Sequence, residues 1–265
     1  MKIKVNFGII AVLMCTQAIL GIFAGIYLDT GWIKETWLGN DIITLVVVVP
    51  ILFLCIIIWN RIGKIISIGI LGYSIYNYAY YILGAELNKL FLLYVVIISL
   101  SIITLIYILS TKNEILSEFD KLIVGKNYIY PAIVFLFIGV GLGAVWIINW
   151  ANYAFAGKAL PQSSSIFRLI ASLDLVLMIN PLIAGGILLL KKNRQGICIG
   201  SIIGVQAFLY LLILCLNSVL ISIKYGNFPG ELPVWGILII IEGSGIVMLL
   251  LNLNKNIVLT PASTL

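Results

Sequence analysis

The residue whose chemistry is hardest to place is Glu242, which interrupts the apolar run IIIEGSGIV about nine residues from either end of a hydrophobic segment. A carboxyl at the centre of a bilayer costs several kcal/mol if charged. No lysine or arginine falls at that depth, so its partners must be neutral hydrogen-bonding groups. The chemistry such a group supports is reversible capture of a proton or cation, and its bland role is a helix–helix hydrogen bond. Counting in from the segment ends places Gln17, Asn180 and Gln206 near the same level, with Asn77 and Asn217 farther out. The sequence therefore predicts one buried polar cluster around Glu242.

A second constellation is aromatic. Tyr73, Tyr76, Asn77 and Tyr80 recur at i, i+3, i+4 and i+7 and fall on one helical face, able to line a ligand site or to bury against a neighbour. The competing reading is an aromatic belt at the membrane–water interface. Asp41 and Asp174 each stand where a spanning helix is expected to begin, so that a carboxylate would cap free N–H groups and meet the positive end of the helix dipole. The candidate ligand- or ion-binding set is thus Glu242, Gln17, Asn180, Gln206, Asn77, Tyr76, Tyr80, Asp41 and Asp174.

Other chemistries are excluded or unsupported. The chain has no histidine, which removes histidine metal sites and Ser-His-Asp or Cys-His catalysis. Its four cysteines, Cys15, Cys55, Cys198 and Cys215, sit in apolar segments without CxxC spacing and read as small buried hydrophobes. There is no HExxH, no paired-acid motif and no glycine-rich phosphate loop. The sequence predicts no catalytic residue, no metal and no cofactor.

These residues must be positioned by helices in a membrane. Of 265 residues, 62% are hydrophobic and 10% charged, against roughly 25% charged in soluble domains. Mean hydropathy is +1.18. Apolar runs of about the length that crosses a bilayer recur throughout. They predict an all-α polytopic bundle of eight transmembrane helices: about 5–28, 41–59, 65–83, 90–109, 130–150, 174–196, 197–222 and 233–251. Residues 1–110 form an N-terminal four-helix half, 111–129 a polar cytoplasmic linker, and 130–265 a C-terminal four-helix half. Gly21 and Gly25 form a GxxxG suited to close helix approach.

The halves echo each other. Asp41–Gly63 matches Asp174–Gly196 at an offset of 133, pairing Asp41 with Asp174, Asn60 with Asn193, Arg61 with Arg194 and Gly63 with Gly196. Four helices per unit makes this a parallel 4+4 repeat. Pro50 and Pro181 follow the matched aspartates by nine and seven residues, so the carbonyls of Val46 and Leu177 lose their helical donor. Interrupted helices at corresponding positions of two halves point to a substrate site.

Orientation follows from the cations. With the N-terminus inside, eleven lysines and arginines fall in cytoplasmic loops and five outside. Both termini are then cytoplasmic, in the cell membrane. The net charge of +6 is dispersed over short loops, which argues against a nucleic-acid partner. Expected partners are membrane lipids and a small-molecule or ion substrate of a transporter, channel or uptake component. The alternative is a non-transporting accessory, sensor or assembly subunit with a protein partner.

The runs NDIITLVVVVP, YNYAYYILGAELNKLFLLYV and LDLVLMINPLIAGGILLL resemble an uncharacterised family of bacterial multi-pass membrane proteins. The resemblance covers most of the chain and implies the helix count; it brings no catalytic residue.

Overall fold

Backbone polar groups in lipid must be paired within their own segment. Accordingly, every regular element among the described residues is helical. A computed structural model describes residues 3–111, 113–120, 128–226 and 230–255. In chain order the helices are α1 (Ile3–Phe23), α2 (Trp32–Ile43), α3 (Val49–Ile58), α4 (Arg61–Gly84), α5 (Phe91–Ser110), α6 (Leu116–Asp120), α7 (Ile129–Ala156), α8 (Ser164–Leu173), α9 (Asn180–Leu190), α10 (Arg194–Tyr225) and α11 (Leu232–Lys255). A π-helical segment, Thr44–Val48, joins α2 to α3, and another, Asp174–Ile179, joins α8 to α9.

Among the described residues, seven helical stretches are long and apolar enough to cross a membrane: Ile3–Phe23, Trp32–Ile58, Phe91–Ser110, Ile129–Ala156, Ser164–Leu190, Arg194–Tyr225 and Leu232–Leu253. Large side chains cover the outside, with Ile57 and Phe155 respectively 77% and 79% exposed. A water-soluble monomer does not show so continuous an apolar exterior. The protein is an integral, multi-pass membrane protein. The 24-residue α4 falls outside the apolar set because Tyr, Asn and Ser replace aliphatics along it. Those polar residues turn inward: Ser67, Tyr73, Ser74, Asn77, Tyr78 and Tyr81 are all buried.

Two expected boundaries are corrected. The stretch between the expected spans 5–28 and 41–59 is largely helix from Trp32, and the gap expected after 130–150 shrinks because α7 runs to Ala156 and α8 starts at Ser164. Trp32 and Trp37 are part of a helix, and the charged residues of its first turn do not end it.

The centre of the bundle is the pair α4 and α10, which pack along each other. At their crossing a Cβ on Gly69 would lie 2.4 Å from Val205 Cβ, so only glycine allows this approach. On one side α1 packs on α3 and α5, with α3 and α5 also on α4; on the other, α7 packs on α9 and α11, with α9 and α11 also on α10. Helix α2 crosses to contact α10, and α8 crosses to contact α4.

The two proline-bearing helices share a layout. Each π segment runs directly into a helix with proline as its second residue. Proline offers no N–H to the carbonyl four residues back, and the chain answers by widening one turn. Val49 N–H reaches Thr44 O and Asn180 N–H reaches Leu175 O, each five residues back. The Leu177 carbonyl left free by Pro181 accepts from Gln206 Nε2 at 3.0 Å. Beyond the prolines, Trp59 and Lys192 both adopt positive φ, 43° and 56°. Asn60 and Asn193 then cap α4 and α10, their side chains accepting from Gly63 N and Gln195 N.

The two ends of the bundle are fastened differently. At one, Arg61 Nε lies 3.1 Å and Lys64 Nζ 3.0 Å from the Glu118 carboxylate, and Arg61 Nη1 donates to Leu253 O at 2.8 Å. At the other, Lys224 at the end of α10 pairs with Glu35 in the first turn of α2. There Asp29 also accepts the Glu86 backbone N–H at 3.3 Å.

Candidate functional site

Asp41 and Asp174 do not cap helix starts. Helices α2 and α8 begin nine and ten residues before them, so both carboxylates stand inside continuous helix, 0% and 2% exposed. Their acceptor capacity is met by side chains from neighbouring helices instead of backbone N–H groups. Gln17 Nε2 donates to Asp41 Oδ1 at 2.8 Å, Tyr81 OH to Oδ1 at 2.7 Å and Tyr27 OH to Oδ2 at 2.5 Å. Tyr78 OH in turn donates to Gln17 Oε1 at 2.9 Å. Rings of Tyr27, Trp37, Tyr81 and Tyr94 stack around this network. The close approach of α1 depends on Gly21, where a Cβ would sit 1.9 Å from Asp41 Oδ2.

Asp174 opens onto space. A cavity of about 460 Å³ lies between α2 and α4 on one side and α7, α8, α10 and α11 on the other. Its buried wall includes Asp174, Tyr73, Tyr76 and Asn77, with half-buried Tyr210 beside them, and exposed Pro161 and Glu231 belong to its rim. Tyr76 OH donates to Asp174 Oδ1, Trp146 Nε1 to Oδ2 at 2.9 Å and Tyr210 OH to Oδ2 at 3.3 Å. Tyr76 and Tyr210 meet edge to face with centroids 5.1 Å apart. The first π segment reaches the same wall, since Thr44 Oγ1 and Tyr73 OH share a hydrogen bond of 2.8 Å. Both widened turns therefore adjoin the cavity, one through Tyr73 and the other through Asp174 itself.

The lining carries polar atoms with no hydrogen-bond partner among the described residues: Asn40 Oδ1, Asn77 Nδ2, Asn217 Oδ1 and Gln162 Oε1. The three asparagines are 2%, 2% and 8% exposed. Unpaired buried amides are uncommon because each forfeits roughly 1–3 kcal/mol. These atoms are enclosed within the walls rather than presented to the space, and Asn217 Oδ1 packs against Gly39, where a Cβ would lie 1.8 Å away.

The residues singled out from sequence divide sharply. Tyr73, Tyr76, Asn77 and Tyr80 all lie on the cavity wall with Asp174. Gln17 belongs to the sealed Asp41 network, and Gln206 serves the Leu177 carbonyl. The midplane cluster expected around Glu242 does not form. Asn180 is exposed, and Glu242 is fully buried with neither carboxyl oxygen hydrogen-bonded among the described residues. The cluster fails because helical depth was matched without azimuth: residues at one level of a bundle face different neighbours. The site also lies away from the prolines, neither of which lines the cavity.

Sequence reasoning missed Trp146, Tyr210 and Asn40. One carried a signal: Tyr210 follows Asn77 at the repeat offset of 133, whereas Trp146 stands four residues before the end of the expected span 130–150, where a tryptophan reads as interfacial. Comparison of the chain with protein-family models, with curated proteins and with solved structures returned no match.

Proposed function

We propose that this protein is a membrane transporter or uptake component that binds a small solute in the cavity at Asp174 and passes it between two parallel four-helix repeats. The observation that carries the reading is the cavity itself. It is walled by both halves of the chain, bounded by the widened turn that carries Asp174, and lined by aromatic rings and polar side chains.

In this reading α4 is an eighth span, its polar residues tolerated because they face α10 and the cavity. The repeat is supported by features recurring at the offset of 133: Asp41 and Asp174, Trp59 and Lys192 at positive φ, and the capping residues Asn60 and Asn193. Helix contacts recur likewise, α2 against α10 and α8 against α4. The central pair α4–α10 would lie on the pseudo-two-fold axis. By the distribution of lysine and arginine, the end that carries Arg61 and Lys64 is cytoplasmic, with both termini, and the cavity opens to the outside.

Reaction of a single cysteine at the cavity wall with an impermeant thiol reagent, applied to each face of the membrane in turn, tests this reading. Access from both faces is expected of a transport cycle. Access from one face only assigns the protein to the sensor or accessory class.

A further inference from the structure

We propose that the cavity selects a small organic ammonium ion, a protonated amine with an apolar body. This deepens the reading of the cavity as a binding site and rests on it.

The charge of the lining gives the sign. Asp174 stands in the buried wall and Glu231 at the rim, and among the described residues no lysine or arginine lines the cavity. All three side chains that touch Asp174 donate to it, the arrangement suited to an acceptor-only carboxylate. An anionic ligand would enter a cavity with acidic groups and no counter-charge.

The polar side chains give the donor count. The neutral polar residues of the lining, among them Asn77, Asn149, Gln162 and Ser218, each carry a side-chain oxygen of a kind that accepts hydrogen bonds. Beside one carboxylate such a lining suits a group rich in N–H, and an alkylammonium has such donors and a positive charge together.

The rings give the body. Trp32, Tyr76, Tyr80, Trp146, Tyr210 and Trp235 surround the space. Aromatic faces attract cations and pack against apolar groups. A bare metal ion does not match, because a hard cation gathers about six to eight oxygen ligands at close range, whereas this is a cavity of about 460 Å³ walled mainly by rings. That size falls in the range of small-molecule sites.

The test uses the purified full-length protein in detergent and three probes of similar shape and different charge: 2-phenylethylammonium, 2-phenylethanol and 3-phenylpropionate. Tm and tryptophan emission are followed at constant ionic strength. Saturable change with the ammonium, and none with the alcohol or carboxylate, is expected. Asp174→Asn weakens the ammonium by roughly thirtyfold or more, as expected for loss of one member of a desolvated charge pair. Because that variant can lose its fold, Trp235→Leu provides a second change at the wall, with weaker binding expected from the lost ring and Asp174 retained. Equal saturation by the alcohol or carboxylate, or no response to the ammonium, overturns the inference.

Failure here is separable from failure of the transport reading. A cavity reached from both membrane faces that prefers the alcohol or carboxylate keeps transport and removes the ammonium. Ammonium binding with access from one face does the reverse.

Discussion

Asp41 and Asp174 stand 133 residues apart, each receives three side-chain hydrogen bonds, and Asp174 rather than Asp41 belongs to the lining of the cavity of about 460 Å³. One carboxylate is enclosed by tyrosines and by α1 at Gly21, and its role is to hold α1, α2 and α4 together. The other is held by Tyr76, Trp146 and Tyr210 beside open space. In the proposed reading, one copy of a repeated element serves packing and the other serves a ligand.

The difference predicts opposite phenotypes. Asp41→Ala leaves the buried donors of Gln17, Tyr27 and Tyr81 without their acceptor, at about 1–3 kcal/mol, and should lower Tm clearly. Gly21→Ala should do the same from the other side, because its Cβ would lie 1.9 Å from Asp41 Oδ2. Gly8→Ala is the control, with nothing within 4 Å of its added Cβ. Thermal unfolding in detergent reads all three. Equal Tm for Gly21→Ala and Gly8→Ala would contradict the sealed network.

Glu118 predicts a pH dependence. Burial pushes its carboxyl up, but hydrogen bonds from Lys64 and Arg61 outweigh this and leave it below the ordinary glutamate range. A group depressed in the folded state adds stability above its unfolded value of about 4.3 and loses it as pH falls through the lower folded value. Wild-type protein should therefore lose Tm in the acid range below that value. Glu118→Gln should start lower at neutral pH and show a shallower acid decline. Parallel Tm–pH curves for the two proteins would count against a stabilising clamp at this end.

Glu242 makes the reverse case. Its oxygens have no hydrogen-bond partner among the described residues, so Glu242→Gln and Glu242→Leu break no bond that the structure gives. Folded yield and Tm should be unchanged or, for leucine, higher, since an isolated buried polar group costs stability. A marked fall in Tm for both variants would show that the carboxyl carries packing after all. If folding holds and transport is lost, Glu242 has a role in the cycle beyond structure.

What the sequence disclosed was set by the physics of each feature. Apolar length and composition announced the membrane bundle, because lipid imposes one solution on the backbone. The i, i+3, i+4, i+7 spacing grouped Tyr73, Tyr76, Asn77 and Tyr80, since one helix face is a local property. The two prolines marked the turns that widen, because a missing N–H must be compensated nearby. The partners of Gln17, Gln206 and Asp174 were not legible. They depend on which way each helix is rotated, and that is decided by close approaches such as Gly69 on Val205 and Gly21 on Asp41. Helix starts were also misplaced, because an aspartate at a hydrophobic boundary resembles a cap even when the helix began two to three turns earlier.

The most direct test of the central claim is the accessibility of Asn149, a half-buried residue of the cavity wall. The Asn149→Cys variant is made in a protein whose Cys15, Cys55, Cys198 and Cys215 are replaced by alanine. It is exposed in sealed vesicles of known orientation to an impermeant methanethiosulfonate reagent on one face or the other. Rapid modification from the face opposite Arg61, slower modification from the Arg61 face, and protection by 2-phenylethylammonium on both are the predicted results. No modification from either face would contradict the cavity as a solute site.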